Sequence, residues 1–169
     1  MNYINIINVS SVDFEGWSTV LQVSGCSHGC QGCFNQQAWK PSFGKHFTDE
    51  NYKEIIENLS KPFISNLVLQ GGDPLQKSNV KEVIGLCRSV REALPEKRIV
   101  VFTGYIYSQL LQDTLRKPLL EYIDVLVDGK YEKGLEPAPF RGSSNQEIIN
   151  VKESLASGEK LLYSLVQDN

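Results

Sequence analysis

Four short apolar runs, each stopping at a turn that contains glycine, constrain this chain more than any other feature. The runs are Ser18 to Ser24, Asn66 to Gln70, Arg98 to Phe102 and Ile123 to Val127. The turns are Ser24-Gly25-Cys26, Gly71-Gly72-Asp73, Thr103-Gly104-Tyr105 and Asp128-Gly129. Runs this short, apolar at successive positions and rich in Val and Ile, read as buried strands. Helical patterns lie between them. Thr48-Asp49-Glu50 opens a helix to about Ser60, with Tyr52, Ile55, Ile56 and Leu59 on one face. Ser78 is expected to cap a second helix, with Val83, Ile84, Leu86, Cys87, Val90 and Leu94 on its apolar face and Pro95 as its stop. Tyr107 to Leu115 reads as a third. Buried strands alternating with amphipathic helices give an α/β fold with a mostly parallel sheet covered by helices. Ligands of such sheets bind beyond the carboxyl ends of the strands, so the four turns are expected to gather as one site.

The 169 residues, 41% of them hydrophobic, suffice for one core, and no Pro/Gly/Ser-rich linker divides the chain. We expect one domain over residues 1–150 and a polar, partly helical tail over 151–169. A net charge of −3 excludes a general nucleic-acid binder, which needs a basic footprint. No apolar run approaches the roughly 18–20 residues that span a bilayer, so no membrane association is expected. Met1 to Ser10 lacks the basic start and apolar stretch of a leader, so a cytoplasmic protein is expected. In that compartment the four cysteines read as metal ligands or buried thiols rather than disulfides.

Three of them, Cys26, Cys30 and Cys33, form C-x3-C-x2-C in a loop with Gly25, Gly29 and Gly32. Such spacing lets one loop wrap a metal centre, and the glycines relieve Cβ clashes in the wrap. Thiolates suit iron–sulfur clusters and zinc. A [4Fe–4S] cluster ordinarily takes four thiolates, so three leave one iron open to another ligand. Cys87 lies on the apolar face of the second helix and reads as a buried thiol. Zinc is the competing reading, because His28 stands between Cys26 and Cys30 and would complete a Cys3His set. The arrangement C-x-H-x-C-x2-C does not match the paired zinc spacings, and a loop histidine of this kind reads as solvated or as supporting a ligand.

The cysteine triplet followed by an aromatic residue, Cys33-Phe34, resembles the cluster loop of radical S-adenosylmethionine enzymes. Five blocks in order sharpen the resemblance: VSGCSHGCQGCFN from Val23, LQGGDPL from Leu69, VFTGY from Val101, VLVDGK from Val125 and RGSSNQ from Arg141. Together, from about Val20 to Asn150, they resemble the activating proteins of anaerobic ribonucleoside-triphosphate reductases. The resemblance implies a [4Fe–4S] cluster on Cys26, Cys30 and Cys33, with S-adenosylmethionine bound to the open iron. An electron from the cluster then yields a 5′-deoxyadenosyl radical, which takes hydrogen from a glycine near the C-terminus of the reductase large subunit. The glycyl radical formed starts ribonucleotide reduction, and reduced flavodoxin is the implied electron donor. The implied fold is a partial, open βα barrel, short of a full eight units, whose open side admits a protein loop.

By the same resemblance Gly32, Cys33 and Phe34 contact the adenine, with ordinary core packing the alternative for Phe34. Gly71 and Gly72 allow close backbone approach to a ligand, and Asp73 suits the methionine amino group; a plain tight turn is the alternative. Thr103 and Asp128 are candidates for the ribose or the methionine carboxylate, against a capping hydroxyl and an Asp-Gly turn. Arg141 to Gln146 either clamps an anion, docks the reductase near its glycyl loop, or is a solvated loop. Glu15-Gly16-Trp17-Ser18 departs from the Gly-rich or Gly-Pro turn that family members often carry. Activation of another substrate within the superfamily and a zinc-stabilised binding module are the alternative functions.

Overall fold

A computed structural model describes residues 1–166. Seven strands form one sheet: β1 (Asn2–Ser10), β2 (Trp17–Val23), β3 (Lys45–His46), β4 (Ile64–Gly71), β5 (Arg98–Phe102), β6 (Val125–Asp128) and β7 (Glu147–Asn150). Their order is β3-β1-β2-β4-β5-β6-β7, so β3 and β7 form the two edges. The four apolar runs of the sequence are the parallel centre, β2, β4, β5 and β6, in register Val20–Val68–Val100–Val125. Antiparallel pairs bracket it: β1 on β2, β3 on β1, and β7 on β6.

Alternation along the central strands sends two sets of side chains to opposite faces. Leu21, Val23, Leu67, Leu69, Ile99, Val101 and Leu126 point to the face covered by α1 (Asp49–Leu59) and α2 (Val80–Ala93). Cys87 is fully buried there with Leu86 and Val90. Full burial of each such aliphatic chain contributes about 1.5–3 kcal/mol. The other face is not helical, contrary to the expectation of helices on the sheet generally. Val20, Val68, Val100, Val125 and Val127 meet Phe14 from the β1–β2 loop, Phe140 and Tyr163. The Phe14 ring lies 5.1 Å from Phe140 and 5.6 Å from Tyr163.

Some elements differ from the sequence expectation. Asn79, not Ser78, occupies the N-cap position of α2. The helix expected over Tyr107 to Leu115 stops early: α3 covers Tyr107–Leu110 and a 3-10 turn follows at Lys117–Glu121. Asp113 is the cause. Its Oδ1 accepts from the Leu115 and Arg116 amides at 2.9 and 3.0 Å, replacing helical bonds with a turn. The segment beyond Asn150 begins with α4 (Val151–Ser157), which buries Val151 and Ser154. Residues 161–163 then lie antiparallel beside β7 through an Ile149–Leu162 bridge. The end of the expected polar tail, residues 167–169, lies outside the described residues. Among the described residues no helix is long and apolar enough to cross a membrane.

Candidate functional site

The chain leaves β2 at Ser24 and runs without regular structure through Cys30. Two backbone bonds hold the stem of this loop: the Gly25 amide donates to the Ala38 carbonyl at 2.7 Å, and the Cys26 amide to the Trp39 carbonyl at 3.1 Å. The end of β4 presses against the same stem. The Gly72 amide donates to Val23 O at 2.7 Å and the Asp73 amide to Gly25 O at 2.8 Å. A Cβ on Gly71 would stand 2.7 Å from Val23 O, and Gly71 has a φ of +109°. The close approach expected of the glycine pair is thus first an approach to the cysteine loop itself.

Asp73 is 1% exposed and is the node of the site. Its carboxylate accepts from the Thr103 hydroxyl at 2.9 and 3.0 Å, the Gly104 amide at 3.0 Å, the Leu75 amide at 2.7 Å and His28 Nε2 at 2.5 Å. These donors come from the ends of β4 and β5 and from the cysteine loop, so one buried carboxylate ties three turns together. Asn79 adds a second tie, donating through Nδ2 to Ser24 O at 2.7 Å and Asp73 O at 2.9 Å.

Cys26, Cys30 and Cys33 line one cavity of about 280 Å³ together with Phe34, Gly71, Gly72, Asp73, Thr103 and Gly104. All three cysteines are free thiols and partly exposed. Burial pushes the Cys26 thiol up to about 11, a backbone bond from His28 lowers it, and the charges of Asp73, Cys30 and Cys33 raise it further. A bound cation favours the deprotonated sulfur and releases the proton. Among the described residues no three Cys, His, Asp or Glu side chains meet as the ligands of one ion would. The three cysteines all line this cavity, and three thiolates are a donor set that suits an iron–sulfur cluster. His28 Nε2 is bonded to Asp73, which leaves Nδ1 as the ring atom a Cys3His zinc site would use.

The remaining predicted residues fall in two groups. Phe34 lines the cavity while 99% exposed, so it is not a core residue. Thr103 also lines it, but its hydroxyl is turned to Asp73. Asp128 is not among the lining residues: it is buried, and its carboxylate accepts from the Tyr107 amide at 2.7 Å, fastening the start of α3. Burial raises the Asp128 carboxyl above its ordinary range, partly offset by that bond. In the Arg141 to Gln146 loop, Gln146 Oε1 accepts from the Gly142 amide at 2.8 Å and its Nε2 donates to Gly129 O at 2.8 Å. Gln146 and Gly142 line the cavity, and Arg141 Nε is buried without a hydrogen-bond partner among the described residues.

Sequence reasoning missed Asn79 as part of the site and left His28 open between a zinc ligand, a solvated side chain and a residue supporting a ligand. The available signal was positional: His28 sits inside the cysteine triplet, and Asn79 follows the Gly71-Gly72-Asp73 turn.

A family model for a 4Fe-4S single cluster domain matches residues 12–149, which include the three cysteines and every strand-end turn. The chain is 41% identical over 149 residues to the anaerobic ribonucleoside-triphosphate reductase-activating protein of Enterobacteria phage T4, covering 88% of this chain and 93% of that one. The protein of the same name from Pasteurella multocida is 38% identical over 152 residues, covering 88% and 96%. That of Escherichia coli K12 is 36% identical over 156 residues, covering 90% and 100%.

Proposed function

The chain belongs to the family of anaerobic ribonucleoside-triphosphate reductase-activating proteins, and on that premise we propose that it carries a [4Fe–4S] cluster on Cys26, Cys30 and Cys33, binds S-adenosylmethionine beside it, and activates the anaerobic reductase. Cys26, Cys30 and Cys33 would hold the cluster, which would supply the electron for reductive cleavage of S-adenosylmethionine and so the hydrogen-abstracting chemistry that would turn a reductase glycine into its radical.

The observation that carries this reading is the convergence of three free thiols and two strand ends on one cavity. Three sulfur ligands would leave one iron without a protein ligand, open to the amino and carboxylate groups of S-adenosylmethionine. The backbone of Gly71 and Gly72 offers carbonyls to its ammonium, and Gly32 with the exposed Phe34 ring offers a face to adenine. Asp73 and Thr103 act from behind this surface, since their polar atoms are held within the protein. Asp128 supports the wall through α3. The sheet does not close on itself, since β3 and β7 stand at opposite ends of its order and residues 161–163 lie beside β7, which suits a partial, open βα barrel of the radical S-adenosylmethionine type and entry of a protein loop. Reduced flavodoxin is the proposed donor of the electron.

Anaerobic reconstitution tests the reading. We expect a brown protein with about four irons per chain that, once reduced, converts S-adenosylmethionine to 5′-deoxyadenosine and methionine. Cys26→Ala, Cys30→Ala and Cys33→Ala should each abolish this, and Cys87→Ala should not. A colourless protein holding a single zinc, or an intact cluster that leaves S-adenosylmethionine uncut, contradicts it.

A further inference from the structure

We infer that His28 is a positioning residue, which locks the cysteine loop to the sheet through Asp73 so that the three thiols stand in place before a cluster arrives. The inference rests on the cluster reading above and adds to it a residue outside the ligand set.

Three observations carry it. First, His28 lies in a segment with no regular structure, yet its side chain is only 9% exposed. A polar side chain in a loop ordinarily stays in water, so burial here needs a partner. Second, a socket is built for the ring. A Cβ on Gly104 would stand 2.5 Å from His28 Cδ2, so the absence of a side chain at Gly104 makes room for the imidazole. Tyr105 forms the wall, edge-on at 4.7 Å between ring centroids with planes at 74°. Arg116 fixes that wall in turn, donating to the Tyr105 hydroxyl at 2.8 Å with its guanidinium 4.2 Å from the ring. Third, the ring nitrogen reaches Asp73 Oδ2 at 2.5 Å, and Asp73 is the carboxylate to which the β4 and β5 turns are already bound.

The loop has few other ties between its first and second cysteines. Ser27 Oγ donates to Gln76 Oε1 at 3.1 Å, but that bond is exposed and competes with water. Beyond it, the Cys33 amide bonds to Cys30 O at 3.2 Å within the loop and gives no anchorage to the sheet. His28 is therefore the buried anchor of the Cys26–Cys30 span. Residues that orient metal ligands without binding the metal typically matter by roughly 10–100-fold in affinity.

The test uses the full chain under anaerobic conditions, first without iron and then during cluster loading. His28→Ala and Gly104→Ala should both raise amide hydrogen exchange across residues 26–34 and weaken [4Fe–4S] loading, with affinity for the cluster lower by roughly 10–100-fold. His28→Gln, whose amide nitrogen reaches the place of Nε2, should restore both. Exchange in the central strands β4 and β5 should stay as in the parent, which separates positioning from general destabilisation. The loaded His28→Ala protein should also show shifted electron paramagnetic resonance g-values for its reduced cluster. Parent-like loop exchange and loading in both His28→Ala and Gly104→Ala overturns the inference. Failure of His28→Gln to restore them, or loss of protection throughout β4 and β5, overturns it as well. A parent protein that takes up no iron instead refutes the cluster reading itself.

Discussion

The backbone of Gly72 passes so close to Gly25 that a Cβ on it would stand 2.6 Å from the Gly25 carbonyl oxygen. Backbone cannot yield as the tip of a long side chain can, so the contact fixes the distance between the end of β4 and the stem of the cysteine loop.

Gly72→Ala should therefore cost about 1–3 kcal/mol of folding stability and displace the loop that carries Cys26. The expected result is a lower unfolding midpoint in urea together with reduced iron uptake on reconstitution. A variant with parent stability and full iron content contradicts the packing described.

Asp128 gives a prediction with a defined sign in pH. Its carboxyl is raised above the usual range by burial. The neutral form is then favoured in the folded chain, so the associated stability is fully present below the unfolded pKa and is lost as pH rises through the folded one. Asp128→Asn stays neutral and keeps an acceptor for the Tyr107 amide. Its stability relative to the parent should rise as the medium passes from acid towards neutral. Asp128→Ala leaves that amide without its acceptor and should cost about 1–3 kcal/mol. Urea melts of the three proteins across the acid range read both effects.

Cys87 should behave unlike the other cysteines. Burial pushes its thiol from 9.0 to about 12. In the folded protein it stays protonated while the unfolded chain begins to ionise near 9.0, so its contribution is complete below that pH and is lost as pH rises towards 12. Iodoacetamide applied to the iron-free native protein should label Cys30 and Cys33, label Cys26 more slowly because its thiol is raised, and spare Cys87 until denaturant is added. Peptide mass mapping checks this, and labelling of Cys87 in the native state contradicts the packing of α2.

The centre of the fold was legible because buried parallel strands write themselves as unbroken apolar runs; β5 lies at Arg98–Phe102 in both the reading and the structure. Its margins were not. β1 mixes Asn with Ile and is half-buried, so it makes sense as a strand only beside β2. β7 is four residues long and follows a polar loop directly. The three cysteines and the glycine pair were legible as a site because their spacing is local. Asp73 was legible as a charge but not as a node, since its donors Thr103, Gly104 and His28 come from distant turns. Asp128 looked like its equivalent at another strand end, yet its bond to Tyr107 turns it to the helix side. Position at a strand end selects candidates; the direction of the side chain decides among them.

Electron paramagnetic resonance of the cluster-loaded protein, mixed anaerobically with its cognate reductase, S-adenosylmethionine and a reductant, tests the central claim most directly. The account predicts a doublet glycyl signal that grows on the reductase and is absent with Cys26→Ala, Cys30→Ala or Cys33→Ala. An intact cluster with S-adenosylmethionine present and no glycyl signal would contradict it.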